Sequence, residues 1–129
     1  MKPSISVVIP TITGVAPELL QMLRLQSLKP DEIEVVHGIQ PNGRARNIGV
    51  RGTRGDILIF IDDDARPVDA TLIEKLVLGL ISDPSIGAAG ASRLIPPDST
   101  FFQRWCTREV ARIENPLVHE PLKTRPGPE

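Results

Sequence analysis

Three consecutive carboxylates, Asp62-Asp63-Asp64, stand directly after the apolar run Ile57-Leu58-Ile59-Phe60-Ile61. Adjacent like charges repel, and a hard divalent cation that takes oxygen ligands relieves that cost, so the chemistry this cluster suggests is a magnesium or manganese (Mg2+ or Mn2+) site. The plain alternative is that acids after a strand only solvate a turn or cap the next helix, and Asp69 is placed to do that capping. Side chains alternate in direction along an extended exit. Asp62 and Asp64 therefore form the cooperating pair and the candidate metal ligands, while Asp63 faces another way.

A second constellation is Gly43-Arg44-Ala45-Arg46-Asn47-Ile48-Gly49. Two guanidinium groups and an amide beside the start of a helix suit a diphosphate, because helix N-termini carry unpaired N–H groups and arginine forks match phosphate oxygens. Taken alone, the same residues also read as a solvated basic face with a structural asparagine. The third is Pro10-Thr11-Ile12-Thr13-Gly14, a polar turn whose hydroxyls and backbone groups suit a base or ribose. His37 can stack or hydrogen-bond at the second strand's exit, or simply be exposed.

These groups need a scaffold that gathers them. Residues 5–9, rich in β-branched side chains and stopped by Pro10, predict a first strand, and the spacing of Ala16, Leu19, Leu20 and Leu23 predicts a helix over about 16–28 with Pro17 in its first turn. Residues 32–36 predict a second strand, 44–51 a short helix, and 57–61, apolar without a break, a third strand buried on both faces. Asp69 as N-cap precedes a helix whose buried stripe is Leu72, Ile73, Leu76, Val77, Leu80 and Ile81. Residues 86–91 predict a small-residue fourth strand, and after Pro96-Pro97 a fourth helix is expected, capped by Asp98 or Ser99, with Phe102, Trp105, Cys106, Val110 and Ile113 at helical spacing. Strands alternating with helices imply right-handed crossovers between parallel strands. The expected fold is α/β: a doubly wound, mostly parallel sheet in three α/β/α layers. In such sheets ligands bind outside the carboxyl ends of the strands, where the acids, the basic helix and the Pro10-Thr11 turn all fall.

Composition narrows the partners. The 129 residues suit one domain, expected over 1–114, with a proline-rich, flexible tail over 115–129. Fifteen basic residues against sixteen acidic ones leave no positive excess for a polyanion, so nucleic acid is not an expected partner. Cys106, the single cysteine, has no internal disulfide partner and reads as a small apolar side chain. Residues 1–10 form neither a secretion signal nor a membrane span, which predicts a cytoplasmic address, with the inner membrane surface open to it if the substrate is membrane-bound. A Gly- and Ala-rich edge strand would be weak alone, so a second copy or a partner chain completing the sheet is an expectation too.

The blocks S-I-S-V-V-I-P-T at 4–11, A-R-N-I-G at 45–49 and G-D-I-L-I-F-I-D-D-D at 55–64 together resemble the nucleotide-binding half of the family 2 glycosyltransferases of the GT-A fold. They occur in family order and spacing over about 4–90. The resemblance implies a Rossmann-like GT-A domain that binds a nucleoside diphosphate sugar through a divalent metal. It makes Asp64 the direct metal ligand, with Asp62 near the ribose or metal, and sets Pro10 and Thr11 under the base. Arg46, Asn47, Asp63 and His37 complete the expected nucleotide-sugar site. Inversion at the anomeric carbon is the implied stereochemistry.

Two departures accompany it. Where the family carries an acidic pair followed by Gly-Ser after the second strand, this chain has His37-Gly38-Ile39-Gln40, so no uracil preference is implied. The family's acceptor-binding half, with its catalytic base, ordinarily follows the region present here, and Gln103-Arg104-Trp105 is only loosely similar to its later Q-x-x-R-W motif. The expected activity is thus metal-dependent sugar transfer to an unknown acceptor hydroxyl (on glycan, lipid or protein) by a compact, truncated or split enzyme with no catalytic base assigned. The alternative is a nucleotide-sugar-binding module without turnover. A receiver-like phosphoryl-transfer domain would carry its acids at the first strand's end, where Pro10-Thr11 stand instead.

Overall fold

The computed structural model describes residues 2–91 and 95–106. They fall into two compact units, Met1–Ala89 and Gly90–Glu129. The expected boundary at 114/115, together with Val110 and Ile113, lies outside the described residues.

In the first unit the order is β1 (Ile5–Thr11), α1 (Pro17–Arg24), β2 (Glu32–His37), α2 (Asn42–Gly52), β3 (Ile57–Phe60) and α3 (Leu72–Ile81). The three strands make one parallel sheet in the order β2-β1-β3. β1 lies in the middle, and all seven of its residues are buried. Its alternation feeds two cores. Ile5, Val7 and Ile9 pack with Ile59 and Ile61 beneath Leu19 and Leu23 of α1 and Ile73 and Val77 of α3, whereas Val8 points the other way, to Val36 and to Ala45 of α2. Helices therefore cover both faces, which is the doubly wound α/β architecture the sequence predicts.

The structure corrects several expectations about these elements. Residues 86–91 form no strand, so the described sheet has three strands; a run of Gly and Ala offers no branched or aromatic side chain to pack on a pleated surface. β3 is not buried on both faces. Leu58 and Phe60 are 37% and 46% exposed, because β3 is an edge strand among the described residues and α2 packs over β1 and β2. α1 ends at Arg24 rather than near 28, since the chain beyond it turns toward the start of α3, where Ser27 N–H donates to Ala70 O at 2.7 Å. Asp69 is not the N-cap of α3. That position is Thr71, and Asp69 instead accepts the Thr71 N–H at 2.7 Å, closing the turn before the helix.

The first turn of α3 is satisfied from elsewhere in the chain. Gln26, only 2% exposed, accepts the Ile73 N–H at 3.1 Å through Oε1 and donates Nε2–H to Asp69 O at 2.9 Å. One buried amide thus supplies a cap and an anchor for the loop leading out of the acidic cluster. Ile81, expected in the buried stripe of α3, is 54% exposed.

In the second unit α4 spans Phe101–Cys106. Its cap is neither Asp98 nor Ser99 but Thr100: Thr100 Oγ1 accepts the Gln103 N–H at 3.2 Å while Gln103 Oε1 accepts the Thr100 N–H at 2.8 Å, a reciprocal capping box. No helix among the described residues is long and apolar enough to cross a membrane.

Candidate functional site

The carboxyl ends of the parallel strands open onto a cleft of about 290 Å³, lined by Pro10, Thr11 and Ile12 from the exit of β1, Asn42 from the start of α2, and Asp62, Asp63 and Asp64 from the exit of β3. Two loops whose facing residues Thr11 and Asp63 are 52 apart in sequence meet here because β1 and β3 are parallel neighbours in register, Val8 beside Phe60. A larger depression of about 430 Å³ lies at the start of β2, lined by Arg24, Lys29, Pro30, Asp31, Glu32 and Ile33. Its acids are already engaged in joining strands: Asp31 accepts the Ile5 N–H at 2.8 Å, and Glu32 accepts the Ser6 hydroxyl and the Arg54 N–H.

Each acid of the cluster has its own surroundings. Asp62 Oδ1 pairs with Arg46 Nη2 at 3.0 Å. Asp63 Oδ2 accepts the Thr11 hydroxyl at 2.5 Å, so Asp63 does turn toward a different neighbour from Asp62. Asp64 is exposed, and its carboxylate has no hydrogen-bond or ion-pair partner among the described residues.

The basic segment lies on α2, which begins at Asn42, two residues before the predicted start. Ala45 and Gly49 face the sheet, and Arg46 reaches the β3 exit. Arg46 Nε is buried with no acceptor among the described residues. Asn47 and Arg44 are exposed and do not line the cleft. His37, also exposed, ends β2 level with Thr11, and the next residue returns to β1 through the Gly38 N–H, which donates to Thr11 O at 2.9 Å. Of the expected site residues, then, Pro10, Thr11, Asp62, Asp63 and Asp64 come together in the cleft, Arg46 joins them through Asp62, and His37 and Asn47 stand outside its lining. Ile12, within the expected Pro10–Gly14 turn, also lines the cleft, and so does Asn42, which belongs to none of the three expected constellations. The signal available in the sequence is the turn Pro41-Asn42-Gly43 just ahead of the expected helix.

The donor set tests whether a metal suits this corner. Among the described residues no three acidic, histidine or cysteine groups converge closely enough to hold an ion by themselves. Magnesium-type sites are commonly completed by one or two carboxylates and the oxygens of a bound phosphate. Asp64, exposed and unpartnered, with Asp62 on the same loop, fits that sparse hard-oxygen pattern.

Among the described residues, four carboxyls outside the cleft are held below their ordinary range: Asp69 by the hydroxyl and then the N–H of Thr71, Asp83 by the N–H and then the hydroxyl of Ser85, and two at the amino end of the sheet. Glu32 is lowered first by the Arg54 N–H and then by the Ser6 hydroxyl, and Asp56 by the N–H and then the hydroxyl of Ser4. Both sit at the opposite edge of the sheet, where they fasten the start of β3 to its neighbours.

A parallel sheet wound on both faces, with its polar cleft at the carboxyl edge, defines a Rossmann-like α/β domain. Residues 15–125 match the model of Glycosyl transferase family 2, and the chain belongs to that family. The match begins after β1 and runs well past the 4–90 span of the three sequence blocks. Neither a curated protein nor a solved structure matches the chain. Membership makes glycosyl transfer the class of activity and sets its two partners in general terms, a sugar donor and an acceptor.

Proposed function

We propose that this protein binds a nucleoside diphosphate sugar at the β1/β3 cleft and transfers the sugar to an acceptor hydroxyl with the help of Mg2+ or Mn2+. The observation that carries the reading is the meeting of the 10–12 turn, Asn42 and the three aspartates in one cleft at the carboxyl edge of the sheet. Asp64, with Asp62, would hold the metal. Bound there, a divalent cation supplies Lewis acidity for the charge that builds on a diphosphate leaving group.

The chain's own groups have the remaining tasks. The start of α2, with Asn42 in the cleft, offers backbone N–H groups and a positive dipole end to phosphate oxygens. Arg46 balances the charge of Asp62 and adds a cationic fork beside the diphosphate, with Asn47 one residue on. Pro10 and its neighbours in the turn form the floor for the base, and His37, level with Thr11, borders the base and ribose from the β2 side. No side chain is assigned as catalytic base.

The test is a panel of nucleoside diphosphate sugars, each incubated with the protein in manganese chloride and in EDTA, with free nucleoside diphosphate measured. Release from one donor, dependent on manganese and quickened by its acceptor, is the expected result. Tight manganese-dependent binding without any release would instead favour a binding module. Absence of both would remove the proposal.

A further inference from the structure

Thr11 is where the exits of all three strands meet. Its carbonyl accepts the Gly38 N–H from beyond β2, its hydroxyl donates to Asp63 Oδ2 beyond β3, and the same hydroxyl accepts the Gly14 N–H at 2.9 Å within its own turn. Gly14 has φ 108°, a left-handed conformation that the bond to Thr11 helps to hold. The Thr11 residue is 4% exposed. A hydroxyl has a single proton, and here that proton is given to a carboxylate, so none remains for a ligand.

We infer that Thr11 is a positioning residue for the donor nucleotide, acting through Asp63 rather than by its own side-chain contact. This rests on the donor-binding reading above. An aspartate at a strand exit otherwise samples several rotamers and loses that freedom on binding. The short charge-assisted bond from Thr11 fixes Oδ2 in advance and leaves Oδ1, which has no partner among the described residues, as the oxygen that accepts from a ligand. Because the same hydroxyl also holds the Gly14 turn, the acid and the turn on the base side of the cleft are set relative to each other by one group.

The experiment is calorimetric binding of UDP, GDP, ADP, CDP and dTDP in manganese chloride to the unmodified protein, Thr11→Val, Thr11→Ser, Asp63→Ala and the double variant Thr11→Val/Asp63→Ala. Thr11→Val preserves shape and strand propensity but removes the hydroxyl, and is expected to weaken binding roughly tenfold, on the scale of one hydrogen bond to a charged group. Thr11→Ser restores the hydroxyl and is expected to stay within about twofold of the unmodified protein, while Thr11→Val adds no further loss once Asp63 is absent. Unaltered affinity in Thr11→Val, no recovery in Thr11→Ser, or an undiminished loss in the Asp63→Ala background overturns the inference about Thr11 and leaves donor binding standing. Failure of the unmodified protein to bind any of the five overturns both.

Discussion

Arg46 Nη2 lies 3.0 Å from Asp62 Oδ1, an ion pair that ties the second turn of α2 to the exit of β3 at the rim of the cleft. The two side chains are 39% and 42% exposed, so water screens the attraction and the pair adds at most about 1 kcal/mol to stability. The buried Arg46 Nε without an acceptor works against even that. Arg46→Ala is therefore expected to leave the urea midpoint almost unchanged. On the donor-binding reading proposed above, in which Arg46 adds a cation beside the diphosphate, nucleoside diphosphate affinity in manganese is expected to fall by about tenfold or more. Arg46→Lys recovers only part of it, since an ammonium cannot reproduce the planar fork. Parallel losses of stability and affinity in Arg46→Ala would show that the pair only braces the fold.

Gly55 and Gly49 are sites of close approach. A Cβ on Gly55 would overlap the Oγ and amide nitrogen of Ser6, and one on Gly49 would overlap the Val8 methyl groups that α2 packs against. Side-chain methyls can shift; a neighbouring strand's amide cannot without moving the strand. Gly49→Ala is expected to cost about 1–3 kcal/mol by overpacking, and Gly55→Ala more, both read from urea unfolding. A smaller loss for Gly55→Ala than for Gly49→Ala would contradict this ordering.

Local pattern made most of the scaffold legible. β-branched runs gave the strands, although β1 runs on through Pro10 to Thr11 instead of stopping after Ile9; apolar spacing gave α1 and α3, and crowded acids after an apolar run marked the β3 exit. What stayed hidden depends on partners distant in sequence. Gln26 satisfies Ile73 across 47 residues, a role no periodicity encodes, while Asp69 looks like a cap because of its place alone. The uninterrupted apolar run of β3 says nothing about which neighbours cover it, so the exposure of Leu58 and Phe60 was not foreseeable from it. The Thr100–Gln103 capping box, in contrast, is written in the sequence as T-x-x-Q, but Asp98 and Ser99, equally good cap residues just upstream, compete with it in the pattern.

Acid is expected to loosen the attachments at the amino end of β3. Glu32 and Asp56 are held below their ordinary 4.5 and 3.8 by donated hydrogen bonds, so the folded chain binds these protons more weakly than the unfolded chain does. Their contribution is complete above those ordinary values and is lost as pH falls through the lowered folded ones. The urea midpoint is expected to be insensitive to these two groups between about pH 5 and 7 and to decline below about pH 4.5. Glu32→Gln, which keeps the shape but cannot be a carboxylate, is expected to start lower at neutral pH and decline less steeply in acid. An unchanged acid slope in that variant would exclude Glu32 as a source of it.

The three aspartates make separable predictions because their surroundings differ. Asp62 is paired to Arg46 and Asp63 is bonded to Thr11, so removing either also frees a neighbour. Asp64 is exposed and engages nothing among the described residues, so Asp64→Ala is expected to shift stability by no more than about 0.5 kcal/mol. Relief of repulsion from Asp63 and Asp62 acts toward higher stability. The same change takes away the carboxylate best placed to meet a cation shared with a bound diphosphate. Titration of nucleoside diphosphates with manganese and then with EDTA separates the two effects: the gain in affinity that manganese brings is expected to vanish in Asp64→Ala, while binding in EDTA stays as it is in the unmodified protein. A manganese gain that survives the substitution would assign the metal to Asp62 or Asp63, or remove it from this cleft altogether.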